Sequence, residues 1–109
     1  MSLYAEYLRE RTKDEIIEGE RGFATYRFTD EKTVYLVDLY VRPDFRKSGV
    51  ARETADLVAE IARKRGCTKM LGSVVPSTKG STESLKVLLA YGMTLESSGP
   101  DFIIFGKEL

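Results

Sequence analysis

The chain has 109 residues, 42% hydrophobic and 31% charged, a composition that predicts one globular domain over residues 1–109. Its 17 Lys and Arg balance 17 Asp and Glu, which argues against a general grip on nucleic acid, and no apolar run approaches the ~20 residues of a membrane helix. Histidine is absent and Cys67 is the single cysteine, which excludes Ser-His and Cys-His nucleophile pairs, disulfides within the chain and His- or Cys-rich metal sites.

The elements follow in chain order. Leu3, Tyr4, Tyr7 and Leu8 predict a short amphipathic helix, and the charge-dense stretch from Arg9 to Glu20 reads as a solvated face. The charged N-terminus lacks the pattern of a signal peptide, and a lone thiol suits a cytoplasmic setting. Ile16 and Ile17 begin a short strand. Phe23, Thr25, Tyr26 and Phe28 form the next, turning at Asp30-Glu31-Lys32. Val34 to Val41 is almost wholly apolar, as in a strand covered on both faces, with Asp38 as its one charge. Arg42-Pro43-Asp44 ends it.

Val50, Thr54, Leu57, Val58, Ile61 and Ala62 then repeat at helical spacing, with Gly66 as the stop. Met70 to Val75 predicts a buried strand closed by Pro76. A second helix carries Leu85, Val87, Leu88 and Leu89 and ends near Tyr91-Gly92. Met93–Glu96 and Phe102–Phe105 predict a closing hairpin around Ser97 to Asp101. The order implies a mixed α/β (α+β) sheet with helical cover.

Chemistry concentrates in the junction Asp44-Phe45-Arg46-Lys47-Ser48-Gly49-Val50-Ala51. A short loop with two cations and a glycine leads straight into a helix, whose first N–H groups and dipole suit a pyrophosphate. The same loop also reads as an ordinary strand-to-helix connection in which glycine relieves strain. Neither a Walker A loop nor a dinucleotide fingerprint occurs.

The run from Leu39 to Ala51 resembles the acyl-CoA signature of the GNAT superfamily of N-acetyltransferases. That signature is Arg/Gln-x-x-Gly-x-Gly/Ala after an apolar strand ending in Val-x-Pro, and Arg46, Gly49 and Ala51 fill its fixed positions. Ser84 to Met93 resembles the family's second helix and its closing Gly-Phe, with Met93 in place of Phe. The resemblance implies a twisted, mostly antiparallel sheet with helices on both faces, truncated by the family's first strand and first helix. It implies acetyl-CoA as co-substrate, with no metal. The pantetheine arm would pair with Leu39, Tyr40 and Val41, and the pyrophosphate would sit on amides from Arg46 through Lys47, Ser48, Gly49, Val50 and Ala51. Lys47 would meet the adenosine 3′-phosphate, and a strand amide would polarise the thioester carbonyl. Ser81 stands where many members carry Asn.

The proton chemistry departs from the family. Leu88 occupies the position of a common tyrosine acid, and Val37 and Tyr35 stand where other members place carboxylates. Asp38 is a candidate proton acceptor or a structural ion-pair partner. Tyr91 points to another side of its helix, as a catalytic phenol or a core residue. Ser81 and Ser84, at the start of that helix, either cap backbone or, as a catalytic role for Ser84, protonate the leaving group. The reading is an N-acetyltransferase acting on a small-molecule or protein amine by direct attack. The rival reading is a catalytically impaired acyl-CoA-binding or protein-interaction module of the same fold. A nucleic-acid module would rest on Arg42, Arg46 and Lys47 alone and is not expected, nor is a membrane partner. An open sheet edge suits a homo-oligomer.

Overall fold

The computed structural model describes residues 2–109. Helix α1 (Leu3–Arg11) is followed by strands β1 (Glu15–Glu18), β2 (Gly22–Asp30) and β3 (Thr33–Val41). A single 3-10 turn, Pro43–Phe45, leads to α2 (Val50–Lys64), β4 (Lys69–Val74), α3 (Ser81–Ala90), β5 (Thr94–Gly99) and β6 (Phe102–Glu108). The strands form one sheet in the order β1-β2-β3-β4-β6-β5. Only β3 and β4 pair in parallel, because α2 carries the chain back between them. The other four pairings are antiparallel.

One face of the sheet is covered by α2 and α3. Val34 and Leu36 of β3, Met70 and Val74 of β4 and Phe105 of β6 pack there with Ala55, Val58, Ala59 and Ala62 of α2 and with Leu88 and Tyr91 at α3. Helix α2 stops in a paired motif at Gly66, where Cys67 N–H reaches the Ala62 carbonyl at 2.9 Å and Gly66 N–H reaches Arg63 at 3.0 Å. Burial pushes the Cys67 thiol pKa up, which makes it a packing residue rather than a nucleophile. Helix α1 lies on the opposite face at the β1 end. Its N-cap Ser2 hydrogen-bonds Glu18 at 2.7 Å, and Thr25, which points to that face, is buried.

Several expectations need correction. In α2, Val50, Thr54, Val58 and Ala62 are buried as the spacing implies, but Leu57 and Ile61 are exposed and Ala55 and Ala59 are buried in their place. The buried arc is thus turned by a fraction of a turn toward Ala55 and Ala59, whose small side chains let the helix lie close to the sheet. In α1 the buried residues are Ala5 and Leu8, and Leu3, Tyr4 and Tyr7 are exposed. Leu89 and Val87 of α3 are exposed, with Leu88 as its buried residue. Strand β5 runs through Ser97 and Ser98 to Gly99, so the hairpin loop shrinks to Pro100-Asp101. Its polar residues tolerate a strand because β5 is an edge strand whose side chains are mostly exposed.

The largest correction concerns β3. It is covered on one face only: Val34, Leu36 and Val41 are buried, Tyr35 and Val37 are half-buried, and Asp38 and Tyr40 are exposed. Thr25 pairs with Asp38 and Tyr26 pairs with Leu36, so Val37 is an extra residue, a bulge in β3. The bulge resets the alternation. Leu36 and Leu39 both face the helices, and Asp38 and Tyr40 both face away.

Candidate active site: the gap between two parallel strands

The parallel ladder is short. It joins Thr33, Val34, Tyr35 and Leu36 to Lys69, Met70, Leu71 and Gly72, and there it ends. Beyond that point β4 stays with β6 through Val74, while β3 stays with β2 through Val41. The two strands part, and the β4-facing edge of β3 from Val37 to Val41 has no ladder partner. Unpaired strand edges are ready to bond an extended ligand. The apex of this gap is lined by Leu36 and Gly72, and its mouth opens at the loop after β3.

That loop is built for an anion. Phe45 N–H donates to Arg42 O at 2.9 Å and Arg46 N–H to Pro43 O at 3.3 Å, which closes the tight turn. Lys47 (φ 65°) and Gly49 (φ 89°) then adopt left-handed backbone, a pattern that turns successive N–H groups to one side. Gly49 is the N-cap of α2 and offers no side chain to its first turn. A Cβ at Gly49 would meet nothing within 4 Å, so the space beside this Cα is open. The loop therefore fits a diphosphate, with helix dipole and amides acting together.

The side chains of the loop divide their tasks. Arg46 Nε donates to Val41 O at 2.9 Å and its guanidinium lies 5.6 Å from the Tyr40 ring centroid, which ties the loop to the end of β3. Ser48 Oγ donates to the Phe45 carbonyl. Lys47 is exposed. Tyr40 in turn stacks on Phe23 with centroids 5.6 Å apart.

The candidate catalytic residues scatter. Asp38 lies beside the gap, exposed, one residue beyond the bulge; Thr25 Oγ1 is 3.5 Å from its Oδ2. It is therefore not the buried charge that an all-apolar strand suggests. Tyr91 is buried, and its hydroxyl donates to Asp56 Oδ1 of α2 at 2.7 Å. Burial first, and the Asp56 hydrogen bond second, hold its pKa above the ordinary tyrosine value. Ser84 is exposed in α3. The α3 N-cap is Gly80 rather than a serine, and Ser81 Oγ donates back to Pro76 O at 3.0 Å instead of capping the helix. Leu88 packs near Gly72, so no polar group of that position reaches the gap.

Sequence reasoning missed two features here. The bulge at Val37 depends on cross-strand register, and the hydrogen bond between the Tyr35 and Ser73 hydroxyls joins residues on different strands. No local pattern marks either. A cleft of about 560 Å³ also exists between the β1–β2 turn and α2, but it lies on the β2 side of β3 and not in the gap. Among the described residues no cluster of three or more His, Cys, Asp or Glu could hold a metal, and no helix is long and apolar enough to cross a membrane.

This geometry matches known proteins. The profile of the Acetyltransferase (GNAT) family matches residues 13–86. The chain belongs to the GNAT acetyltransferase family. Thialysine N-epsilon-acetyltransferase of Sus scrofa is 32% identical over 92 residues, covering 81% of this chain and 54% of the relative. The Mus musculus enzyme of that name is 35% identical over 82 residues, 72% of this chain and 48% of the relative. The chain thus spans about half the length of these relatives. A GNAT family acetyltransferase from Elizabethkingia anophelis, solved with acetyl-CoA bound, superimposes with a TM-score of 0.75 at 18% identity, covering 98% of this chain and 82% of that one. An N-acetyltransferase from Thermoplasma acidophilum in complex with coenzyme A gives a TM-score of 0.75 at 15% identity, with 95% and 67% covered. The six-stranded, mostly antiparallel sheet and three helices of this chain match the GNAT fold of these structures.

Proposed function

We propose that this GNAT chain binds acetyl-CoA in the gap between β3 and β4 and transfers its acetyl group to a primary amine. The observation that carries the reading is the end of the parallel ladder at Leu36 and Gly72, which opens a free strand edge onto the Lys47–Ala51 amides. Those amides, of Lys47, Ser48, Gly49, Val50 and Ala51, bind the pyrophosphate, the Arg46 N–H being engaged by the Pro43 carbonyl, and the exposed Lys47 side chain meets the adenosine 3′-phosphate. Main-chain groups of Leu39, Tyr40 and Val41 pair with the amides of the pantetheine arm. Acetyl-CoA supplies the acetyl group already activated as a thioester. A β3 amide beside the Val37 bulge polarises the thioester carbonyl, acting as a one-donor oxyanion hole.

Asp38 and the Tyr40–Phe23 stack lie at the edge of the gap on the face away from α2 and α3, and they line the amine's approach. An exposed carboxylate there attracts a cationic amine and positions it. Tyr91 serves packing, since its hydroxyl is held by Asp56. Ser81 braces the loop before α3, and Ser84 stays in solvent.

The test is release of free CoA thiol from acetyl-CoA with propylamine, benzylamine, spermidine and lysine methyl ester as acceptors, with the products identified by mass. N-acetylated product from at least one amine is the expected result. Acetyl-CoA binding with no product from any of them would replace this reading with that of a non-catalytic acyl-CoA-binding protein, which the apolar Leu88 also suits.

A further inference from the structure

Past Leu36 and Gly72, the next residues on the two arms of the gap are Val37 and Ser73. Ser73 still pairs with Ile104 of β6, so its backbone is fixed. Its hydroxyl reaches across the apex to the phenol of Tyr35 on β3, and the two oxygens share one hydrogen bond. Both residues are half-buried. By strand alternation they point away from α2 and α3, to the face that carries Asp38 and Tyr40. Two hydroxyls carry two protons, and one hydrogen bond between them uses one. The other is available to a third group at the apex.

The free edge of β3, Val37 to Val41, is five residues long. At strand rise it extends about 16 Å, comparable to a fully extended pantetheine arm. An acyl-CoA whose pyrophosphate rests on the Lys47–Ala51 loop therefore places its thioester at the apex, beside Val37 and Ser73. The position that supplies a tyrosine acid elsewhere in the family is Leu88, which is buried and apolar. The reaction must still move a proton from the attacking amine to the departing sulfur.

Resting on the acetyl-transfer reading above, we propose that Ser73 carries this proton and that Tyr35 is its positioning residue. As the amine nitrogen bonds the acetyl carbon and the carbon–sulfur bond breaks, a proton on nitrogen passes to Ser73 Oγ. Ser73's own proton passes to sulfur. The products are an amide and a free thiol, and the serine is unchanged, so no outside base is consumed. Tyr35 holds the serine oxygen at the apex through the shared hydrogen bond.

The experiment compares wild type with Ser73→Ala, Ser73→Thr and Tyr35→Phe, using the four amines named above. Ser73→Ala is expected to lower kcat by about 10²-fold, the lower range for loss of a positioned proton carrier. Acetyl-CoA affinity should be unchanged, and Tm should fall by no more than the few degrees that one half-buried hydrogen bond carries. Ser73→Thr, which keeps the hydroxyl, should restore kcat to within about tenfold of wild type, and Tyr35→Phe should lose about tenfold. A second readout needs no turnover. The thiolate of bound CoA, followed by its ultraviolet absorbance, should be about tenfold less populated at a fixed pH in Ser73→Ala, which lacks the donor to sulfur. Wild-type turnover matched by Ser73→Ala, with the same thiol titration, overturns the assignment and leaves the acetyl-transfer reading standing. Wild type that acetylates none of the amines overturns that reading, and this assignment falls with it.

Discussion

The phenol of Tyr91 is withdrawn from chemistry by its neighbours. It donates to Asp56 at 2.7 Å, Lys107 Nζ sits 4.0 Å from its ring centroid, and the same ammonium donates to the Tyr91 carbonyl at 2.9 Å. Its folded pKa lies above the ordinary value of about 10, so folding favours the protonated phenol. That contribution is complete below about pH 10 and is lost as pH rises toward and through the folded value. Tyr91→Phe should therefore cost about 0.5–1.5 kcal/mol at neutral pH, the net worth of one hydrogen bond, since the exposed Asp56 carboxylate turns to water when its donor is removed. It should also flatten the fall in stability above about pH 10 relative to wild type. Urea melts of both proteins across that range check the sign, and identical alkaline slopes would contradict it. At this scale the sequence was informative where a residue's role is local. Gly49 in a short strand-to-helix loop reads correctly as a position of unusual backbone, and its φ of 89° agrees. Asp38 was not legible, since its exposure follows from a neighbour's register rather than from its own environment in the chain.

Among the elements, β3 is placed by a close backbone contact at its C-terminal end. Where β2 begins, Gly22 pairs with Val41, and a Cβ on Gly22 would lie 2.2 Å from the Tyr40 carbonyl oxygen and 3.0 Å from the Val41 Cα. Both obstacles are backbone, so the strands would have to separate. Gly22→Ala should destabilise by about 1–3 kcal/mol, the range for forced overpacking. It should also weaken acetyl-CoA binding, because Tyr40 and Val41 border the gap. Denaturant midpoints and binding isotherms would check both parts, and a variant with wild-type stability would show that the close approach relaxes freely. Element type and order were readable from hydrophobic period and turn residues: the strand at Val34–Val41, the helix from Val50 and the strand before Pro76 all stand. The margin of each helix's buried face was not, although Val50, Thr54, Val58 and Ala62 of α2 and Leu88 of α3 are buried as the spacing implies. Period locates a stripe, but in α2 it singled out Leu57 and Ile61 where the sheet accepts Ala55 and Ala59. The decision belongs to the partner surface, which a single segment does not contain.

For the whole molecule, the gap is a consequence of topology. β3 is drawn to β2 by a long antiparallel hairpin, and β4 is drawn to β6, so the two parallel strands are pulled toward opposite halves of one sheet. Four rungs hold them together before they part. The bulge at Val37 stands where the ladder ends, and the loop that follows Val41 brings the amides of Lys47 to Ala51 to the open end. The family motif made the loop legible in the sequence, whereas the apex, built from residues on strands separated by a whole helix, was not. The central claim is that this loop and gap hold acetyl-CoA. The most direct measurement is calorimetric titration of acetyl-CoA and CoA into wild type, Gly49→Ala and Gly49→Glu. Either substitution places an L side chain at a left-handed position, at a backbone cost of about 1–2 kcal/mol. Only the glutamate sets a carboxylate against the diphosphate. Wild type should bind, Gly49→Ala should bind within about tenfold of it, and Gly49→Glu should lose more than about 10²-fold, since opposed like charges cost several kcal/mol. Folded wild type that binds neither ligand, or Gly49→Glu that binds as wild type does, would contradict the account.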